Sequence, residues 1–208
     1  MSKDEVADAL APNTVIRSSG EATGAQAIAP EARGRSAPAH TQYVPGEGVE
    51  DAVLQREVET FLFRQAALLD AKDWQAFINC FTDDGVYWMP VELGQSGWEL
   101  EPSIFAEDRL MMEIRMRRLD HPNAWSQAPM WGTNHIVGNV ILESVSDASV
   151  QVYSRFQMME LRRDNVRHFG GTYRHTLRRT GAGLKVQLQR VDMMNGQATY
   201  DYVLQAWV

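Results

Sequence analysis

From Val49 onward the apolar positions of the chain fall into a helical beat. Leu54, Val58, Phe61, Leu62, Leu68 and Leu69, with Gln65 among them, recur at spacings of three and four, which puts one stripe on a single face and predicts a helix from about Asp51 to Asp70. A shorter helix is expected over Trp74 to Phe81, with Asp73 as the N-cap whose carboxylate takes free N–H groups of the first turn. Thr82-Asp83-Asp84-Gly85 reads as the turn that ends it. Val86-Tyr87-Trp88-Met89 is β-branched and aromatic and suits a strand, and Pro90 confines the end of that strand to an edge or a bend. Pro102-Ser103 reads as the start of a third helix with Ile104, Phe105, Leu110, Met111, Ile114 and Leu119 on its buried side.

The beat then changes to a period of two. Long strands are expected over Thr133 to Glu143, Ser149 to Arg163, Val166 to Thr180 and Leu184 to Asn195; Leu184, Val186 and Leu188 alternate with Lys185, Gln187 and Gln189. Ser144–Ala148, Asp164-Asn165 and Gly181–Gly183 are short enough for hairpins, so these strands are antiparallel neighbours. Gly170-Gly171 inside a strand suggests a bulge and strong curvature. Helices first and a sheet afterwards give an α+β class, with three helices packed on one face of a curved antiparallel or mixed sheet.

Residues 1–48 differ in kind. Ala, Gly, Pro and Ser supply 23 of them, and large apolar residues are few and aperiodic, the mark of an extended arm. Such an arm is either a mobile tail or a segment in which Val15-Ile16 and Tyr43-Val44 dock on a partner subunit. Residues 49–208 then make one domain.

Composition narrows the function. The chain has 208 residues with 20 Lys plus Arg against 27 Asp plus Glu, a net charge of −7, and this acidity argues against nucleic acid or an anionic membrane as partner. The single cysteine, Cys80, excludes an internal disulfide and any cysteine-ligated cluster. No apolar run approaches the roughly 20 residues that span a bilayer, and the acidic first residues do not resemble a secretory or mitochondrial signal; a cytoplasmic location is the expectation. The chain lacks a Gly-rich phosphate loop, an H-E-x-x-H helix and a G-x-S-x-G elbow. The five histidines, His40, His121, His135, His168 and His175, are scattered, so neither a metal nor a cofactor site is expected in this chain. The basic group Arg162, Arg163, Arg167, Arg174, Arg178 and Arg179 suits a salt-bridged sheet face or a subunit interface.

Several segments in fixed order resemble the small (β) subunit of the aromatic-ring-hydroxylating dioxygenases, the Rieske non-haem iron oxygenases. They are Leu68-Leu69-Asp70, Asp73-Trp74, Asp84-Gly85-Val86-Tyr87-Trp88-Met89-Pro90, Ile104-Phe105-Ala106-Glu107-Asp108-Arg109, Arg115 with Arg118-Leu119, Ala124-Trp125-Ser126-Gln127-Ala128-Pro129, Thr133 with His135, Asn139-Val140, and Phe169-Gly170-Gly171-Thr172-Tyr173-Arg174-His175. Met130-Trp131-Gly132 departs from the family's Ser-Arg type stretch. The resemblance implies a cone of the nuclear-transport-factor-2-like (NTF2-like, SnoaL-like) type. It also implies a subunit that trimerises and holds catalytic α subunits in an α3β3 assembly, with the Rieske [2Fe–2S] cluster and mononuclear Fe(II) in the α partner and electrons from separate ferredoxin and reductase components. Catalytic residues are then absent from this chain, and Asp108, Arg109, Arg115, Arg118 and Trp125 are candidate interface residues. The alternative is a stand-alone dehydratase or isomerase on the same cone, with Asp70, Tyr87 and His135 converging in a pocket.

Overall fold

A computed structural model describes residues 43–119, 121–124, 131–194, 196, 204, 207 and 208. Val15-Ile16 of the arm, and the candidate interface residue Trp125, lie outside them. The order of elements is α1 (Ala52–Ala71), α2 (Trp74–Ile78), β1 (Phe81–Pro90), β2 (Ser103–Asp108), α3 (Arg109–Arg117), β3 (Gly132–Val145), β4 (Ser149–Arg162), β5 (Asn165–Thr180) and β6 (Gly183–Met193). The six strands form one sheet in the order β2-β1-β6-β5-β4-β3, antiparallel except for the β1–β6 pair. The class is α+β, as the sequence pattern requires.

Helix α1 begins where Asp51 Oδ1 accepts the Leu54 N–H at 2.9 Å and ends at Lys72, whose φ of 58° turns the chain left-handed while its N–H bonds back into the last turn. Leu54, Val58, Leu62, Gln65 and Leu69 are its buried stripe. Asp73 caps α2 as expected, through Ala76 N. Phe81, expected at the end of that helix, instead opens β1, and the Thr82–Gly85 segment lies inside this strand as an irregularity in its pairing with β6.

The third helix is shorter than its sequence suggests. Ser103–Asp108 pairs with β1, and α3 starts only where Asp108 Oδ1 accepts the Met111 N–H at 2.8 Å. Phe105 and Glu107 are the buried positions of β2, so a buried carboxylate stands where an apolar residue would have revealed the period of two. Met112 and Met116 face the core, whereas Leu110, Met111 and Ile114 are 60%, 47% and 42% exposed. The pair Gly170-Gly171 carries no bulge: β4 and β5 stay in unbroken register from Ser149↔Arg178 to Arg162↔Asn165. A Cβ on Gly171 would meet the Asp192 carbonyl oxygen at 2.2 Å, so glycine is required there by close backbone approach.

Strand β3 is an edge, and three of its backbone groups are bonded by other parts of the chain. Val49 N donates to Leu142 O at 2.7 Å, Gln55 Nε2 to Val140 O at 2.9 Å, and His135 N to Asp70 Oδ2 at 2.9 Å. Tyr43 likewise finds its partners within the chain, bonding Glu143 through its hydroxyl at 2.6 Å and packing on Tyr153; its neighbour Val44 is exposed.

Candidate functional site

Two polar constellations lie on opposite faces of the sheet. On the helix-facing side, Asp70 at the end of α1 accepts three hydrogen bonds from β3: Thr133 Oγ1 at 2.9 Å, the His135 N–H at 2.9 Å, and His135 Nδ1 at 2.6 Å. Burial pushes the Asp70 carboxyl up, but the bonds from His135 and Thr133 more than reverse this and leave it below its ordinary value. Two of the three alternative catalytic residues are therefore in contact. The third is not part of the pair: the buried Tyr87 hydroxyl donates to Val208 O and accepts the Val208 N–H, both at 3.2 Å, and burial raises its pKa.

Chemically, a carboxylate held below its usual pKa and saturated by three donors is a poor general base. It is a good strand clamp. Replacing Asp70 with Ala should leave the His135 N–H unsatisfied on the β3 edge and destabilise the chain by about 2 to 3 kcal/mol in urea unfolding; a loss under about 0.5 kcal/mol would mean that Asp70 does not clamp the strand.

Next to this pair the interior holds Tyr173, stacked on Phe156 with centroids 4.3 Å apart, and His175, set edge-on to Tyr173. Burial drives the Tyr173 hydroxyl well above its ordinary pKa and the His175 imidazole down to about 3. The ring nitrogens of His175, His135 Nε2 and Ser154 Oγ are buried without a hydrogen-bond partner among the described residues.

The outer side of the sheet is built around Arg190, which is 6% exposed. Its Nε donates to both oxygens of the equally buried Asp192 at 2.9 and 3.0 Å, its Nη2 to Leu93 O at 2.7 Å, and its Nη1 to Gln95 O. The guanidinium lies 4.4 Å from the Trp88 ring centroid. Asp192 also holds Arg174 at 3.4 Å, and Arg174 in turn covers the Tyr43 ring. This network stitches the loop of residues 91–102 onto the sheet and borders a groove of about 1060 Å³ lined by Tyr43, Arg155, Arg174 and Met194 among others.

The candidate interface residues divide. Asp108 is the α3 cap. Arg109 donates to Phe81 O at 3.0 Å and to Asn79 Oδ1 at 3.4 Å, holding the α2–β1 junction. Arg115 bonds the buried Glu107 and stacks over Phe105. These three side chains are engaged within the chain, and Arg118 is exposed. Beside them the exposed α3 face of Leu110, Met111 and Ile114 supplies apolar surface that the sequence pattern had assigned to the core. Arg190 and Asp192 were not singled out from sequence, although opposite charges two residues apart on one strand share a face and could have been read as a pair.

Among the described residues no group of three or more His, Cys, Asp or Glu side chains could hold a metal ion, and no helix is long and apolar enough to cross a membrane.

The family model described as "Ring hydroxylating beta subunit" matches residues 64–198. The 2-halobenzoate 1,2-dioxygenase small subunit of Burkholderia cepacia is 26% identical over 144 residues, covering 67% of this chain and 87% of that protein. Among solved structures, the beta subunit of the benzoate 1,2-dioxygenase of Burkholderia mallei superposes with a TM-score of 0.59 at 25% identity, over 75% of this chain and 99% of that one. A putative scytalone dehydratase from Novosphingobium aromaticivorans shares the fold at a TM-score of 0.54 and 16% identity, over 73% of this chain and 89% of that one. The fold is thereby the NTF2-like one.

Proposed function

Because this chain belongs to the family of ring-hydroxylating dioxygenase small (beta) subunits, we propose that its own contribution is architectural: it trimerises and holds catalytic α subunits in an α3β3 assembly that adds O2 to an aromatic ring. On this reading residues 49–208 are the working domain, residues 1–48 are an appended arm, and the assembly works in the cytoplasm. The α subunit carries the Rieske [2Fe–2S] cluster, the mononuclear Fe(II) and the substrate pocket, and ferredoxin and reductase components supply electrons. The choice of aromatic substrate belongs to that partner.

The observation that carries this reading is the fate of the candidate Asp70–His135 dyad. Asp70 and His135 touch at 2.6 Å, yet the carboxylate is consumed by the backbone and side chains of the edge strand, and the Tyr87 hydroxyl is consumed by Val208. An Asp70 general base or a Tyr87 acid would have to be free to meet a substrate proton, and of the Asp70–His135 pair His135 Nε2 alone is without a hydrogen bond among the described residues. The exposed apolar face of α3 and the adjacent Arg118 support a subunit contact, since apolar surface ringed by arginine suits interfaces.

The chain purified by itself is expected to be colourless, iron-free and without turnover on aromatic substrates. Combined with its α subunit and the electron-transfer components it should support dioxygenation, and His135→Ala in that assembly should leave turnover per α-subunit iron unchanged. Dehydratase, isomerase or oxygenase turnover by the isolated chain would overturn the proposal, as would loss of turnover in a fully assembled His135→Ala enzyme.

A further inference from the structure

Three aromatic rings and one carboxylate make a pocket of defined chemistry beside α2, and its occupant is the chain's own Trp207. The indole stacks on Phe77 with centroids 4.9 Å apart and planes 28° from parallel, meets Trp74 edge-on at 6.1 Å and lies 6.2 Å from Tyr87. Its Nε1–H donates to Glu107 Oε2 at 3.0 Å. Glu107 is 4% exposed, and its other oxygen is held by Arg115. Trp207 is 2% exposed, and Val208, fully buried, is pinned through both of its backbone polar groups to the Tyr87 hydroxyl.

The two parts of this pocket select for different things. Aromatic walls accept any flat ring of the right size, since stacking is tolerant of ring identity. The buried carboxylate oxygen is not tolerant: with Arg115 committed to Oε1, Oε2 requires a donor in the plane of the guest, and a guest without one leaves a desolvated acceptor unpaired. Charge-assisted bonds of this kind are about twice as strong as neutral ones. We propose that this is a binding site for planar bicyclic aromatics bearing a ring N–H, the indole class, and that Trp207 fills it as an internal ligand. The site is separate from the Asp70–His135 pair, and the inference does not depend on the role of the chain in a dioxygenase.

Removing the internal ligand should therefore create a receptor. The full chain carrying Trp207→Gly is expected to bind free indole at one site per chain and to gain at least about 4 °C in its thermal midpoint when indole is present at 100 times its Kd. 1-Methylindole, which has the same rings and no donor, should bind at least tenfold more weakly, and the unaltered chain should bind neither. Absence of indole binding to folded Trp207→Gly, equal binding of the two indoles, or equal binding by the unaltered chain would each overturn the proposal. Should Trp207→Gly fail to fold, a double-substitution cycle decides. Trp207→Phe keeps the stacking and removes the donor, so its midpoint loss should be at least halved when Glu107 is already Leu; an equal loss in both backgrounds overturns the assignment of Glu107 as the selecting acceptor.

Discussion

Lowering the pH from 7 to 4 should cost the folded chain about 3 kcal/mol through one residue, His175. The side chain is 1% exposed on β5, and burial holds its pKa near 3 against an ordinary value of 6.5. Between those values the unfolded chain binds a proton that the folded chain refuses, so stability is fully present above pH 6.5 and falls with acidification by up to about 1.4 kcal/mol per pH unit until pH 3. Asp70 acts in a different window. Its folded pKa is depressed, so its contribution is present above about pH 3.9 and is lost only as pH falls through the folded value. Replacing His175 with Leu removes two buried nitrogens without a hydrogen-bond partner among the described residues and should flatten the dependence between pH 6.5 and 4, while leaving the loss below pH 4. Urea midpoints across this range measure both, and an unchanged slope in His175→Leu would place the acid sensitivity elsewhere.

Arg190→Met should destabilise the chain by about 3 to 5 kcal/mol, the cost of leaving a buried carboxylate without its partner. Among the described residues Asp192 would retain the longer contact to Arg174 at 3.4 Å. The carbonyls of Leu93 and Gln95 would lose their donor, and Trp88 would lose the guanidinium above its ring. Because the network ties residues 91–102 to the sheet, the same substitution should speed proteolysis in that loop before global unfolding. The double change Arg190→Met with Asp192→Leu should recover most of the loss, since replacing both members of a buried pair with apolar groups is far milder than removing one. A loss under about 1 kcal/mol for Arg190→Met would mean that the pair is solvated and structurally idle.

How much of this was legible in the chain follows from where burial and hydrophobicity agree. Helix α1 and strands β3 to β6 were readable because Leu54, Val58, Leu62 and Leu69, and later Val186, Val191 and Leu177, are both apolar and buried. Strand β2 was misread because Glu107 is buried and charged, and a Glu at an inward position hides the alternation that a strand would otherwise display. On α3 the opposite mismatch occurs: Leu110, Met111 and Ile114 are apolar and exposed, so an expectation of burial picked the wrong face. An exposed apolar face and a core face read alike in one chain's sequence.

The candidate residues divide along the same line. Asp70 and His135 were named from type and position, and they do meet, but their commitment to the β3 edge depends on the backbone of a strand 63 to 65 residues away. Nothing local announces that. Gly171 was noticed as a glycine inside a strand, and its reason, the Asp192 carbonyl 2.2 Å from where a Cβ would sit, exists only once β5 and β6 are paired. Trp207 was not singled out from the sequence, and its partners Phe77, Tyr87 and Glu107 come from three separate elements.

On the proposed reading this chain holds catalytic subunits and does no chemistry of its own. Native mass measurement of the chain co-expressed with its α subunit tests it most directly. A single assembly of three copies of each chain is expected, with all iron carried on the α subunit when the assembly is dissociated. A chain that remains free of the α subunit, or that retains iron after separation from it, would contradict this architectural role.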